Sequence, residues 1–367
     1  MRDATLAPYL FWAKSREPAA MDLAGSNLLP CTIDDLPGAR EALDISAAND
    51  NGYAPLVDAI AAHYRVPPER VALGTGCSGA NFLAIAATVG AGDHVLIERP
   101  TYDPLIGACR LMGADVAPFD RRFDAGYAID LDDLRRRITH RTKLIVLTNP
   151  HNPSGVLLDR EAIARVAAMA ADAGLQVLVD EVYLDAASLV RGEAPGARSA
   201  AGLDAPILVT NSLTKSYGLA GLRCGWVIAP PAVAERVRRT RDVVDNAGSA
   251  PADRLGAFAY SMRARLAERA RLLLVANIEH AARFFSGERA LELAAPPSSS
   301  IVFPRLRGHA DAAPFVRFLL DRGVAVAPGA FFDAPAQFRV SLAGSSDRLA
   351  LGLTALGDAL REFEGRA

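Results

Sequence analysis

Short apolar runs alternate with helical patterns between about residues 54 and 229, and this alternation constrains the fold more than any other feature of the sequence. Such alternation is typical of repeated βαβ units and of a mostly parallel sheet. The candidate strands are residues 94–98, 115–119, 143–147, 176–179, 207–210 and 224–228. The middle runs are almost wholly apolar, as expected for strands that are covered on both faces. A helix is predicted over residues 159–173, since its apolar positions share one face and Gly174 supplies a stop.

The pattern changes after Pro230 and Pro231. Long helices rich in Arg, Glu and Ala follow, and then apolar strand candidates at residues 301–303 and 338–342. A length of 367 residues is also long for one domain and short for three. We therefore predict an α/β fold with a second, smaller α+β lobe.

Composition excludes several classes of protein. Forty basic side chains against forty-two acidic ones give a net charge of −2, so no global charge signature favours binding to nucleic acid or to an anionic membrane. No apolar run reaches the roughly 18 residues that span a bilayer, and we read the N-terminal segment as part of the fold and not as an export signal.

The cysteines and histidines do not form a recognisable site. The four cysteines are scattered, without metal-ligand spacing, and we expect reduced thiols in the cytoplasm and no metal. The histidines, including His63 and His280, have no paired ligand spacing, and we interpret them as structural.

Polar residues follow three of the apolar runs, where ligands bind in an open parallel sheet. These segments are residues 149–155 (NPHNPSG), 180–183 (DEVY) and 212–215 (SLTK). Desolvating an unpaired charge is costly, so an acid or a lysine at the end of a buried strand needs an explanation. A further segment, residues 74–81 (GTGCSGAN), precedes a helical pattern. A glycine-rich turn at a helix N-terminus presents backbone N–H groups to an anion such as phosphate, although the same pattern serves as an ordinary helix cap.

Together these segments resemble the fold-type I pyridoxal-5′-phosphate (PLP) enzymes, specifically the class I/II aminotransferases related to aspartate aminotransferase. The resemblance is carried by residues 149–155, 180–183 and 212–215, with Arg223 eight residues after Lys215, and it extends over nearly the whole chain. It implies a large domain with a mostly parallel seven-stranded sheet flanked by helices, over residues 46–245. The smaller α+β domain would combine residues 1–45 with residues 246–367.

The resemblance implies catalytic roles for Lys215, Asp180 and Tyr183. Lys215 would form the Schiff base with the cofactor aldehyde and then move the Cα proton, which requires an amine kept nucleophilic by a desolvated, cation-rich pocket. Asp180 would keep the cofactor's ring nitrogen protonated. Asn152 and Tyr183 would donate to its phenolic oxygen. Taken singly, Lys215 could be a solvated lysine and Asp180 a helix cap.

The remaining implied contacts surround the cofactor and the substrate. The cofactor-binding residues would be Gly76, Cys77, Ser78, Ser212 and Arg223 around the phosphate, with Tyr102 stacked on the ring. Cys77 would contribute mainly its backbone. The substrate-binding residues would be Arg339, which would grip the α-carboxylate, together with Asn152, Gly25 and Asn27. Ala47 occupies the position where many relatives carry a tyrosine that reaches the neighbouring subunit's phosphate, so the resemblance does not extend to that contact.

The predicted function is transamination between an amino acid and a 2-oxo acid in a homodimer. Two alternatives stay open from the sequence alone. One is a PLP-dependent lyase, decarboxylase or cyclase, because positioning selects which bond breaks. The other is a non-catalytic ligand-sensing module.

Overall fold

The computed structural model describes residues 7–46 and 49–365. This part of the chain contains fourteen strands, and seven of them form one large sheet. The strands are β1 (Met21–Asp22), β2 (Val71–Thr75), β3 (His94–Arg99), β4 (Asp115–Asp120), β5 (Thr142–Thr148), β6 (Gln176–Asp180), β7 (Ile207–Ser212), β8 (Cys224–Ile228), β9 (Leu291–Glu292), β10 (Ile301–Val302), β11 (Arg305–Leu306), β12 (Val324–Ala325), β13 (Ala327–Pro328) and β14 (Phe338–Ser341). The α-helices are α1 (Pro8–Ser15), α2 (Ala54–Tyr64), α3 (Gly76–Ala86), α4 (Asp103–Leu111), α5 (Leu131–Arg137), α6 (Arg160–Asp172), α7 (Leu184–Val190), α8 (Thr214–Tyr217), α9 (Pro231–Val244), α10 (Ala250–Ser261), α11 (Arg263–Gly287), α12 (Ala313–Leu320) and α13 (Ser346–Glu364).

The large sheet has the order β2-β8-β7-β6-β5-β3-β4. Strand β8 runs antiparallel to both of its neighbours, and the other neighbouring pairs are parallel. The prediction of a mostly parallel, seven-stranded sheet is therefore confirmed. All six candidate strands are present, and β2 is the strand that the candidates missed. Its Ala72 and Gly74 are poor β-formers, so the apolar run there is short and weak.

Alternating side chains of the central strands pack into two separate hydrophobic layers. Val177 and Val179 of β6 join the layer beneath α2, α5, α6 and α7, whereas Leu178 joins the layer beneath α3, α4 and α9. Burying each of these side chains contributes about 1.5–3 kcal/mol. The sheet is thus covered on both faces, which explains why its middle strands are continuous apolar runs.

Helix α6 shows how the sequence sets the covering helices. The Asp159 carboxylate accepts from the backbone N–H of Ala162 at 2.6 Å and caps the helix at its start. Ile163, Val166 and Ala170 are buried against the sheet. The predicted helix over residues 159–173 therefore includes both cap residues.

A second hydrophobic core lies in the C-terminal part of the chain. There β14 pairs antiparallel with β10 and β13, and α12 and α13 cover them. The N-terminal segment joins this part through the parallel pairing of β1 with β12.

Helix α11 contributes to both cores. Leu266, Ala270 and Leu274 pack with the large sheet, whereas Ile278 and Phe285 pack in the C-terminal core. Helix α11 thus connects the two cores, and the predicted domain boundary at residue 245 stays a prediction. In the described residues, no helix is both long and apolar enough to cross a membrane.

A carboxyl group is buried in the large core directly after β6. Glu181 is fully buried, and it accepts hydrogen bonds from Ser199 Oγ at 2.6 Å and from the Ala200 backbone N–H at 2.7 Å. Burial raises the pKa of Glu181 from 4.5 to about 8, assisted by the neighbouring carboxylates of Asp185 and Asp180 and opposed by the two hydrogen bonds. Glu181 is therefore protonated in the folded state at neutral pH.

The raised pKa predicts how stability depends on pH. The folded state binds the Glu181 proton between pH 4.5 and about 8, where the unfolded chain has lost it, so stability falls as pH rises through this window. The Glu181→Gln variant has no carboxyl proton to lose, so its stability does not fall for this reason. We expect its stability relative to wild type to increase by up to about 1.4 kcal/mol per pH unit across the window, as measured by urea unfolding. A stability difference that stays constant with pH would contradict the assignment.

Candidate active site

A cavity of about 590 Å³ opens at the carboxyl ends of β6 and β7. Asp180 is the last residue of β6, Ser212 is the last residue of β7, and Lys215 follows in α8. Because β5, β6 and β7 are parallel, their ends meet at one edge of the sheet. The predicted site residues on the cavity wall are Gly25, Asn27, Cys77, Ser78, Tyr102, Asn152, Asp180, Tyr183, Ser212, Lys215 and Arg223.

Two predicted residues, Gly76 and Arg339, are not on this wall but contact residues that are. Gly76 lies against Arg223, and Arg339 bonds to Asn152. Ala47 lies outside the described residues. Tyr53, a tyrosine close to that position in the sequence, packs against the Arg254 guanidinium, whose Cζ lies 4.7 Å from its ring centroid.

The Lys215 amine is held at the cavity by uncharged groups. Its Nζ donates to Ser26 Oγ at 2.9 Å and to Asn27 Oδ1 at 2.6 Å. Burial, assisted by the nearby Arg339 and Arg223 guanidinium groups and opposed by the Asp180 carboxylate, lowers the pKa of Lys215 from 10.5 to about 7. About half of the amine is therefore neutral, and hence nucleophilic, near pH 7.

Asp180 lies across the same cavity. Its carboxylate accepts from Asn81 Nδ2 at 2.7 Å, from the Val182 backbone N–H at 3.0 Å and from Cys77 Sγ at 3.4 Å. Burial raises the pKa of Asp180, whereas these donors and Lys215 lower it. Its hydrogen-bonding partners among the described residues are three donors that carry no positive charge, so its negative charge is available to a cationic ligand group.

The first turn of α3 and Arg223 form an anion site. Gly76 begins the helix with φ +68°, a backbone conformation that favours glycine, and the Arg223 guanidinium lies so close that a Cβ at Gly76 would be 2.3 Å from its Nη2. The guanidinium donates to the backbone carbonyls of Ala220 and Thr75 at 3.2 and 3.4 Å, and it forms no ion pair with a carboxylate in the described part of the chain. In the described residues no side chain caps the start of α3, where the Gly76 N–H donates to the Arg223 carbonyl oxygen at 2.8 Å. The N–H groups of this first turn add to the positive field, and Ser78 is close by on the cavity wall.

Arg339 lies one layer behind the wall. It is fully buried, and its Nη1 donates to Asn152 Oδ1 at 2.9 Å, while Nη2 bonds to the Tyr9 hydroxyl and to the Ala24 carbonyl oxygen at 3.2 Å. A substrate carboxylate would reach the guanidinium by replacing Tyr9 or Asn152 as a partner. Arg339 Nε has no hydrogen-bond partner among the described residues.

Two aromatic side chains complete the inner wall. Tyr102 precedes α4 and packs edge-on to Tyr9, with ring centroids 6.2 Å apart. Tyr183 precedes α7, its ring centroid lies 6.0 Å from Lys215 Nζ, and burial raises its pKa to about 12. The Tyr183 phenol is therefore a neutral hydrogen-bond donor near pH 7.

Three wall residues whose side chains hydrogen-bond to predicted site residues were not themselves predicted as site residues. Tyr9 belongs to an N-terminal helix without a recognisable motif, and Ser26 lies between two residues that were predicted. Asn81 had a usable signal, since it is an amide in the otherwise apolar pattern of α3. A buried amide in such a helix requires a polar partner.

The donor set suits one kind of cofactor. A primary amine, a carboxylate without a cationic partner and an anion site surround a single cavity, and these match an aldehyde, a basic ring nitrogen and a phosphate. In the described residues, no three His, Cys, Asp or Glu side chains are grouped as metal ligands.

Comparison with known proteins agrees with this chemistry. The family model described as "Aminotransferase class I and II" matches residues 25–356. The chain is 33% identical to capreomycidine synthase from Streptomyces vinaceus, over 96% of this chain and 93% of that protein. It is 26% identical to a probable aspartate/prephenate aminotransferase from Aquifex aeolicus, over 81% of this chain and 77% of that protein.

A solved structure resembles the whole chain. A PLP-dependent aminotransferase from Streptococcus suis 89-1591 superposes with a TM-score of 0.86 at 26% identity, covering 99% of both chains. The chain belongs to the class I and II aminotransferase family, and it is a PLP-dependent aminotransferase of the aspartate aminotransferase fold.

Proposed function

We propose that Lys215 and Asp180 are the catalytic pair of this aminotransferase, which moves an amino group between an amino acid and a 2-oxo acid. The observation that carries the proposal is the Lys215 amine, whose pKa is lowered to about 7 and which faces Asp180 and an anion site in one cavity. When bound, PLP supplies an aldehyde that links to an amine and a ring that accepts electrons from the substrate Cα.

Each site residue would have a separate role towards PLP. Lys215 would hold the aldehyde carbon and, once displaced, would take the Cα proton on its neutral Nζ. Asp180 would hold the proton on the ring nitrogen, and Tyr183 would donate to the phenolic oxygen. Arg223 and the first turn of α3, with Ser78, would bind the phosphate.

The substrate would bind between this pair and helix α1. Arg339 and Asn152 are supported as carboxylate ligands by their shared hydrogen bond beside the cavity. Tyr9 and Leu10 of α1 line the same cavity and would exclude water from the reacting centre. The loop carrying Gly25 and Asn27 would border the substrate, since Asn27 already reaches the Lys215 amine.

A second candidate function keeps the cofactor but releases a different product. It is a lyase, decarboxylase or cyclase reaction, and it is favoured by the similarity to capreomycidine synthase over 96% of the chain. The cavity alone does not select the bond that breaks, because substrate orientation makes that choice. The aminotransferase relative and structural neighbour favour transamination as the first candidate.

We also propose that the enzyme works as a homodimer in the cytoplasm. Three apolar side chains are largely exposed: Ile45 in the loop before α2 by 88%, and Val243 and Val244 in α9 by 87 and 54%. Exposed apolar side chains of this kind favour an interface with a second copy of the chain. All four cysteines are unpaired, which suits a reducing compartment.

Nitrogen transfer tests the function directly. With a nitrogen-15-labelled amino acid and an unlabelled 2-oxo acid, we expect the label to appear in the amino acid formed from the oxo acid. Lys215→Ala should lower this rate by at least about 1,000-fold, because it removes both the attachment point and the base, whereas the exposed Lys143→Ala serves as the control. Turnover that releases ammonia or carbon dioxide, without label transfer, would support the second candidate instead.

The lowered pKa of Lys215 predicts a pH dependence of cofactor attachment. Since the amine must be neutral to attack, the rate at which the apoenzyme gains visible absorbance should rise about tenfold per pH unit up to about pH 7 and then level off. Stopped-flow mixing of the apoenzyme with PLP measures this rate, and the Lys143→Ala variant should show the same dependence of the rate on pH as the wild type. A rate that keeps rising towards pH 10 would show an ordinary, solvated lysine.

Sedimentation velocity tests the homodimer. The wild-type enzyme should sediment at twice its chain mass of 38.8 kDa. Val243→Asp should weaken association by at least about 100-fold, since a buried valine is lost twice in a symmetric interface. Leu351→Asp, at a 63% exposed position of α13, is the matched control and should leave the dimer intact. A wild-type enzyme that sediments as a single chain would contradict the proposal.

A further inference from the structure

Asp180 is the end of a hydrogen-bonded chain that begins on the neighbouring strand. Thr210 Oγ1 in β7 donates to Asn81 Oδ1 at 2.5 Å, and Asn81 Nδ2 donates to Asp180 Oδ2 at 2.7 Å. All three side chains are buried. An ionised carboxylate only accepts, so the amide NH₂ must face Asp180, and its oxygen is left for the Thr210 hydroxyl.

The position of Asn81 is costly unless these bonds are made. Its neighbours on the buried face of α3 include Ala80, Leu83 and Ala84, all of them apolar. Burying an amide without partners in such surroundings is unfavourable. An apolar side chain at this position would pack well, and among the described residues it would leave Asp180 with the Val182 N–H and the Cys77 thiol as its remaining donors.

We propose that Asn81, fixed in orientation by Thr210, is a positioning residue that aims the Asp180 carboxylate into the cavity and stabilises its negative charge. This inference rests on the proposed role of Asp180 as the partner of the cofactor's ring nitrogen. Asn81 would act through Asp180 and not on the substrate.

The electrostatic surroundings of Asp180 support a special role for Asn81. Burial raises the pKa of Asp180, and the Asn81 hydrogen bond is the largest effect that lowers it, ahead of the Val182 N–H, the Cys77 thiol and the Lys215 amine. The other titratable groups close to the carboxylate are Tyr183 and Glu181 on the turn after β6. The Cys77 thiol stays neutral, because burial raises its pKa well above the usual range.

Two variants test the chain of hydrogen bonds in the PLP-loaded enzyme. Asn81→Leu keeps the branched skeleton and removes the donor to Asp180, and Thr210→Val keeps the shape and removes the anchor of Asn81. Hydrogen bonds to charged groups are strong enough that Asn81→Leu should weaken PLP binding by about 10- to 100-fold. Thr210→Val should also weaken PLP binding, by a smaller factor.

The pH titration of the visible absorbance provides the second readout. A less firmly held Asp180 would let the ring nitrogen lose its proton, and with it the positive charge that lowers proton affinity at the Lys215 nitrogen. We therefore expect the absorbance midpoint to move to higher pH in both variants. Asn277→Leu is the matched control, because Asn277 is also a buried amide. It donates to the backbone carbonyls of Leu342 and Gly344 at 2.7 and 2.8 Å, and not to Asp180. This variant should lose stability without moving the midpoint.

The outcomes separate this inference from the function on which it rests. A wild-type enzyme that gains no visible absorbance with PLP would overturn the proposed function. If the wild type binds PLP normally, and folded Asn81→Leu and Thr210→Val both keep its affinity within twofold and its midpoint, only the positioning role is wrong. If Asn81→Leu fails to fold, the Thr210→Val midpoint decides the question alone.

Discussion

Burial shifts the pKa values of Lys215 and Asp180 in opposite directions, and the site depends on the hydrogen-bonding partners that the chain supplies to each group. Desolvation lowers the pKa of the Lys215 amine, and only neutral acceptors from Ser26 and Asn27 hold it, so the amine can lose its proton near pH 7. Desolvation raises the pKa of the Asp180 carboxyl, and there the chain supplies Asn81, the Val182 N–H and Cys77 as donors. One cavity thereby offers a nucleophile and an anion together.

The sheet makes this arrangement possible. Strands β5, β6 and β7 are parallel and adjacent, so the segments that carry Asn152, Asp180 and Lys215 leave the sheet at the same edge. Strand β8 returns antiparallel beside β7 and brings Arg223, which precedes it, next to Gly76 at the start of α3. The anion site is therefore as much a product of strand order as of its own residues.

Much of this was predictable from the sequence, and the rest depends on long-range contacts. Buried parallel strands consist of apolar runs, so the sequence predicted six of the seven strands of the large sheet and the polar residues that follow them. Strand β2 was not predicted, because Ala72 and Gly74 weaken its apolar run. Contacts between distant segments carry no local pattern. Tyr9 meets Arg339 across 330 positions of sequence, and Thr210 meets Asn81 across 129. The division of α11 between two cores is equally invisible in its continuous helical pattern.

The most direct test of the central claim is to locate the bond between cofactor and chain. The sequence contains three lysines, Lys14, Lys143 and Lys215, so the possible attachment points are few. After the PLP-loaded enzyme is reduced with borohydride and digested, mass spectrometry of the peptides identifies the modified lysine. The account predicts stoichiometric modification at Lys215 alone. Modification at Lys14 or Lys143 instead, or no modification of a folded protein that has been supplied with PLP, would contradict it.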